Sequence, residues 1–329
     1  MKRALVTGGA GFIGSALVDA LAADGVEVTV LDDFRTGRRE FLDSAENTGR
    51  VKVVEGDILD PSALDEACLD CDAVFHLQAN ADVRHGLEAP RRDLEQNTIA
   101  TSNVLEAMRD HDIKFIAFSS TGSVYGEPEV FPTPEDAPFP VQTSLYGASK
   151  LAGEGLIAAY CNGYGMTGLA FRFVSILGER YTHGHVIDFY RSLMEDPETL
   201  QVLGDGNQEK SYLYVGDCVR AMLLAAETHW GEPGFFVYNL GHSETVTVDE
   251  SISNICTILE CEPELNYSGG SRGWIGDSPL IKLDTTRIES LGWEPELSIR
   301  DATEKTIEWF RKNPALVEPQ ADRGKAGAQ

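Results

Sequence analysis

Apolar residues along the chain fall in two alternating rhythms. Short runs rich in β-branched and aromatic residues occur at Ala4-Leu5-Val6, Val26 to Leu31, Val51 to Glu55, Ala73 to Leu77, Lys114 to Phe118 and Leu169 to Val174. Too brief for helices and bounded by turn residues, they predict buried strands. Between them apolar residues recur at helical spacing, as in Phe12, Ile13, Leu17 and Leu21, or Ile99, Val104, Leu105 and Met108. Strands alternating with helices predict an α/β fold with a parallel, doubly wound sheet. A long helix is expected from Ser144 through Tyr160. Beyond Val174 the rhythm is less regular. Val219–Glu227, Val248–Glu260 and Ile299–Arg311 read as helices and Phe236–Leu240 as a strand, with looser segments at Val186–Met194 and Thr199–Leu203. The polar tail from Pro314 contains Pro, Ala and Gly and is expected to be disordered.

The turn after the first strand carries Gly8, Gly11 and Gly14 at spacings of three, with Phe12 and Ile13 between the last two. Strand, glycine turn and helix form the setting in which backbone approaches a pyrophosphate and a helix N-terminus offers its N–H groups. Asp32 ends the second strand, about 20 residues further on, where an acid accepts from an adenosine ribose. The acid would repel a 2′-phosphate and so favours NAD over NADP, although Arg35 nearby pulls the other way. The chain therefore divides into a nucleotide-binding Rossmann-type domain over residues 1–174, with return segments near 212–248, and a smaller C-terminal substrate-binding lobe over 175–312. Residues 313–329 are the tail.

Tyr146 and Lys150 are four apart on the long predicted helix, so they share a face. Thr121 lies upstream, after the fifth strand, where such sheets carry their chemistry. A tyrosine ionises near pH 10, so a basic role near pH 7 asks for a shift of about 3 units. A neighbouring ammonium and a cationic nicotinamide ring both favour the phenolate.

Charge narrows the partners. The 27 Lys and Arg against 53 Asp and Glu give a net charge of −26, spread along the chain, which excludes nucleic acid and anionic membranes. Such a surface repels itself at low salt, and at about 1 M salt the screening length falls to about 3 Å. A salt-adapted, halophile-like protein is expected. No apolar run approaches the roughly 18 residues that span a bilayer, and no signal-peptide pattern opens the chain, so a soluble cytoplasmic protein is expected. Cys68, Cys71, Cys161, Cys218, Cys256 and Cys261 read as free thiols, and His183-Gly184-His185 as a loop; no metal site is expected.

Taken together, the TGGAGFIG turn, Asp32, Gly56-Asp57-Ile58, Asn97, Thr121 with Val124-Tyr125-Gly126, and Tyr146-xxx-Lys150 resemble the extended short-chain dehydrogenase/reductase family, over roughly residues 1–312. Within it the chain is most similar to NAD-dependent nucleotide-sugar epimerases of the UDP-glucose 4-epimerase kind. That resemblance implies NAD bound by Gly8, Gly11, Phe12, Ile13, Gly14, Asp32, Asp57, Ile58 and Asn97. It implies Tyr146 as base, Lys150 on the nicotinamide ribose and Thr121 against the substrate. It further implies a nucleotide-sugar substrate, with UDP-sugars favoured, inverted through a 4-keto sugar, and a homodimer built on helices near 97–109 and 146–160. Related dehydratases carry an Asp-Glu pair directly after the threonine; here stand Gly122 and Ser123. In the substrate half the match loosens. Ser175 takes the place of an asparagine and Lys210 that of an arginine, while Arg272 lies two residues ahead of the usual arginine position, occupied by Trp274. Asp284 fits the family's C-terminal pattern and Ile281 is expected near the sugar ring. Another nucleotide-sugar oxidoreductase, or a non-catalytic relative, remains an alternative reading of the same motifs.

Overall fold

The computed structural model describes residues 1–81, 86–138, 141–273 and 280–318. Seven parallel strands form one sheet: β1 (Arg3–Thr7), β2 (Glu27–Asp32), β3 (Val51–Glu55), β4 (Ala73–His76), β5 (Phe115–Thr121), β6 (Thr167–Phe173) and β7 (Gly234–Leu240). Their spatial order is β7-β6-β5-β4-β1-β2-β3. The order reverses between β1 and β4, so the crevice at their carboxyl ends is the sheet's switch point. Alternation along each strand feeds two cores. In β1, Ala4 and Val6 enter one core, and Leu5 enters the other.

Helices cover both faces. Helix α1 (Phe12–Ala23) and α6 (Val215–Thr228) lie on one side; α2 (Pro61–Cys68), α3 (Ala100–Asp110) and α4 (Leu145–Tyr164) lie on the other. Local chemistry sets their ends. Asp60 caps α2 by accepting from Ser62 N–H ahead of Pro61, and Ser144 caps α4 through Gly147 N–H at 3.0 Å. Gly165 closes α4 in the left-handed conformation, φ 65°. The helix expected to start at Asn97 instead begins with a helical turn at Pro90–Asp93 and continues through a π turn at Leu94–Ile99. The widened turn directs Asn97 into the protein, where it is 1% exposed.

Outside the main sheet, small ladders position the remaining loops. Ser175–Leu177 pairs with Tyr212–Tyr214, and Glu209–Lys210 lies between Val246–Thr247 and Leu280–Ile281. Helices α5 (His185–Glu195), α7 (Val248–Leu259) and α8 (Ile299–Lys312) pack around them. Two expectations change here. His185 opens α5 rather than lying in a loop, because Val186, Ile187, Tyr190 and Leu193 bury one helical face. The tail expected to be disordered from Pro314 is helical at Pro314–Val317, with Val317 only 5% exposed; residues 319–329 lie outside the described part. No helix among the described residues is long and apolar enough to cross a membrane.

Candidate active site

Close packing explains the glycine turn. Gly8 sits at φ +68°, and a Cβ there would stand 2.8 Å from the backbone of Gln78. At Gly14 a Cβ would meet the Gly8 carbonyl oxygen at 2.1 Å. Gly11 is the N-cap of α1, whose first turn carries no acid and no side-chain cap. The N-terminal N–H groups and dipole of α1 therefore face the cradle. Phe12 turns its ring inward onto Tyr181, with centroids 5.5 Å apart, so it offers a ligand its backbone. Ile13 is half-buried beside it.

Asp32 borders the cradle, 5% exposed, accepting from Ala10 N–H and Phe34 N–H at 2.9 Å each. Burial pushes its carboxyl up to about 6, against the pull of these two bonds. Arg35 is turned toward acids, 2.9 Å from Asp33 and 3.3 Å from Asp57. Asp57 also accepts from Leu59 N–H at 2.9 Å, and Ile58 is fully buried. Across the cradle, the buried Gln78 Oε1 has no hydrogen-bond partner. Glycines that bring bare backbone together, a helix N-terminus without an acid or a side-chain cap, and an orphaned acceptor are features that fit a dinucleotide.

The reactive group lies at the end of β5. Thr121 is the last residue of that strand rather than part of the turn, and its Oγ1 accepts from Ser123 N–H at 3.1 Å. The phenol of Tyr146, in the first turn of α4, lies beside this hydroxyl. Crowding by protein pushes that phenol up to about 12; Thr121 lowers it and Asp93 raises it. Lys150, one turn on, is 1% exposed. Its ammonium donates to the Ser119 carbonyl at 2.7 Å and lies 4.5 Å over the Phe118 ring. Burial brings it down to about 7, with Glu154 acting to raise it. The sequence led us to expect the ammonium to favour the phenolate directly. In the structure Ser119 and Phe118 hold the ammonium, and the phenol's ionisation is set by burial, Thr121 and Asp93.

Asn97 and Tyr125, both named from the sequence, meet partners that carried no recognisable sequence signal. Asn97 Oδ1 accepts from Asn80 N–H at 2.8 Å, and its Nδ2 donates to Ser149 Oγ at 2.8 Å, tying the crevice loop to α4. Asn80 in turn donates to Asp93 at 2.8 Å. His76 is fully buried between Thr7 and Thr101, at 2.8 and 3.0 Å. Thr101 already donates to Asn97 O, so His76 Nε2 must donate to Thr101 and Nδ1 accepts from Thr7. That neutral tautomer agrees with a ring held down to about 3 by burial and by Lys150. Glu154 is gripped by Arg172 through bonds of 3.0 and 2.7 Å, and Arg172 continues to Tyr125 at 2.7 Å and Tyr125 to Asn239 at 2.7 Å. A VYG run, a YxxxKxxxE helix and the arginine of β6 thus meet in one buried network.

The expected substrate residues lie on the small ladders and loops outside the main sheet. Ser175 is exposed and in register with Tyr212. Lys210 is in register with Ile281 on one side and Val246 on the other. Arg272 pairs with Glu127 at 2.7 Å, just beyond Gly126. Trp274 and its neighbours through residue 279 lie outside the described residues. His185 was not expected here: its ring lies 5.0 Å from Tyr212 and its Nε2 2.7 Å from Ser251 Oγ. Burial and Lys210 hold it down to about 3. Asp284 accepts from Thr286 N–H at 2.8 Å and its own N–H donates to Thr133 O, a structural role. Among the described residues, no group of three or more His, Cys, Asp or Glu is placed to hold a metal.

Comparison with known proteins agrees with this geometry. The model of the NAD dependent epimerase/dehydratase family matches residues 4–241. A UDP-glucose 4-epimerase of Mycolicibacterium smegmatis is 35% identical over 315 residues, covering 94% of this chain and 98% of the relative. The crystal structure of UDP-glucose 4-epimerase with UDP-glucose from Thermotoga maritima superposes with a TM-score of 0.85 at 33% identity, covering 95% of this chain and 99% of that one. UDP-glucuronic acid 4-epimerase from Bacillus cereus, in complex with UDP-glucuronic acid and NAD, gives 0.86 at 28% identity, covering 94% and 99%. Matched by that model over more than half its length and 35% identical to such a relative, the chain belongs to the NAD-dependent epimerase/dehydratase family.

Proposed function

We propose that this protein is an NAD-dependent epimerase that inverts UDP-hexoses at C4. The carrying observation is the placement of the Tyr146 phenol beside Thr121, at the carboxyl end of β5. NAD, when bound, supplies a reversible hydride acceptor for the sugar C4. Thr121 would orient the O4 hydroxyl, and Tyr146, raised to about 12 in the protein alone, would take its proton as the phenolate that a cationic nicotinamide ring favours, and later return it. Lys150, fixed by Ser119, holds positive charge beside the cofactor ribose. The flanking residues restrict the outcome to inversion. Gly122 packs against the Phe173 carbonyl, and Ser123 is engaged with Thr121, so neither supplies the acid or base that expulsion of a C6 hydroxyl requires.

Ser175, Lys210 and Arg272 are the side chains we assign to the nucleotide diphosphate, with Ile281 beside the sugar. Lys210 offers a point charge where an arginine would offer a fork. A homodimer is part of this reading. Leu94 and Ile99 of the π turn and Leu145 and Tyr164 of α4 are 49%, 42%, 38% and 47% exposed, an apolar set that a second copy would cover. A cytoplasmic setting is in keeping with six free cysteines.

The test is incubation of NAD-loaded protein with UDP-glucose, UDP-N-acetylglucosamine and UDP-glucuronate, with product configuration read by NMR. Inversion at C4 of at least one of them, without accumulation of NADH, is expected. Stoichiometric oxidation or reduction, or inversion at another carbon, would replace this reading by that of a different nucleotide-sugar oxidoreductase.

A further inference from the structure

The segment after Asp32 folds back over the cradle. A Cβ on Gly37 would stand 2.8 Å from Asp32 Oδ1 and 3.0 Å from the Ala10 side chain. Arg38 N–H donates to Ala10 O at 2.9 Å, while Ala10 N–H donates to Asp32. Residues 37 and 38 thus close one side of the pocket assigned to the adenosine ribose. What holds them there comes from the other end of the chain. The Arg38 guanidinium donates to the Glu318 carbonyl at 2.6 Å. Phe41, in the turn Arg39–Leu42, packs edge-on to Trp309 of α8 with centroids 5.9 Å apart. The far side of the same C-terminal segment is tied to the second lobe: Arg191 of α5 donates through Nε to the Val317 carbonyl at 2.9 Å, and Val317 is buried.

We propose that Arg38 is a positioning residue for the cofactor, and that residues 314–318 form a strap which, through Arg38, keeps the 37–38 loop against Asp32 and slows release of NAD. The proposal rests on the assignment of Asp32 to the adenosine ribose. The arrangement has a physical consequence that a mere surface contact lacks. The strap is anchored at Val317 and Arg191, independently of the cofactor loop, so the bond to Arg38 resists outward motion of that loop. Opening the loop costs one charge-assisted hydrogen bond, made to a carbonyl that is itself held in place. Retention matters for an epimerase, whose cofactor ends each turnover in the state in which it began.

Release of NAD from the loaded protein, followed by displacement with excess fluorescent etheno-NAD, tests the strap. Arg38→Ala should release NAD about fivefold to tenfold faster, the equivalent of one such bond, and Arg38→Lys should recover part of the retention. Ending the chain at Asn313 should have the same effect as Arg38→Ala, and the two changes together no more than either alone. The melting temperature of the NAD-free Arg38→Ala protein should fall by no more than about 2–4 °C, the shift that loss of one such bond gives a chain of this size. Unchanged NAD release in Arg38→Ala, or independent and additive effects of the two changes, would overturn the strap. Asp32→Asn separates the two levels: if it releases NAD no faster than wild type, the ribose assignment fails and the strap falls with it.

Discussion

Lys150 and Glu154 stand one turn apart on α4, both buried, and the carboxylate of Glu154 is clasped by Arg172 at 2.7 Å. The site lysine therefore shares its helix face with half of a buried ion pair. Removing one member of such a pair leaves an uncompensated charge and costs about 3–5 kcal/mol. Arg172→Met should lower unfolding free energy by about that amount in urea titrations, and joint replacement of Glu154 and Arg172 by apolar residues should cost less than the single change. A single change that costs nothing measurable would show the pair to be dispensable.

The glycines give a contrast between two positions. Gly14→Ala places a Cβ 2.1 Å from the Gly8 carbonyl, whereas nothing lies within 4 Å of the corresponding position at Gly163. Gly163, exposed in α4, should gain up to about 1 kcal/mol on change to Ala. Gly14→Ala should abolish NAD retention and lower the melting temperature. Thermal unfolding with and without NAD compares the two.

Asp32 predicts a pH dependence. Its carboxyl lies at about 6 in the fold against 3.8 for the ordinary group. Between those values the folded protein binds more protons than the unfolded chain, so stability of the NAD-free protein falls as pH rises from 3.8 to 6 and is level above. The drop is on the order of 3 kcal/mol. Asp32→Asn should remove that slope in denaturation profiles; an identical slope in the variant would assign it to another group.

The net charge of −26 makes a separate prediction. Self-repulsion is screened within about 10 Å at 0.1 M salt and about 3 Å at 1 M. The melting temperature should rise steeply between those conditions, and an unchanged value would contradict salt adaptation.

The sheet was legible because its central strands are buried on both faces and read as apolar runs, such as Ala73–His76 and the start of Phe115–Thr121, while the edge strand Val51–Glu55 buries only Val54 but keeps its β-branched residues. The glycine turn, Thr121, Tyr146 and Lys150 were legible because each needs a specific residue at a fixed offset. The supporting shell was not. Asn97 was named from the motif, but its partners Asn80 and Asp93 were not: they meet it where a π turn lies in the helix, and no apolar period reports such a turn. His185 joins Tyr212 and Ser251 across separate elements, a meeting set by the packing of α5 on α7. The tail appeared disordered in the sequence because its polar composition hides one buried anchor, Val317.

The central claim is that the Tyr146 phenol moves the sugar hydroxyl proton while NAD stays in place. Its most direct measurement is turnover of UDP-hexose by Tyr146→Phe, with bound NAD quantified in the same preparation. The account predicts wild-type NAD content and a rate lower by about 10²- to 10⁴-fold. Undiminished turnover in the NAD-loaded variant would contradict it.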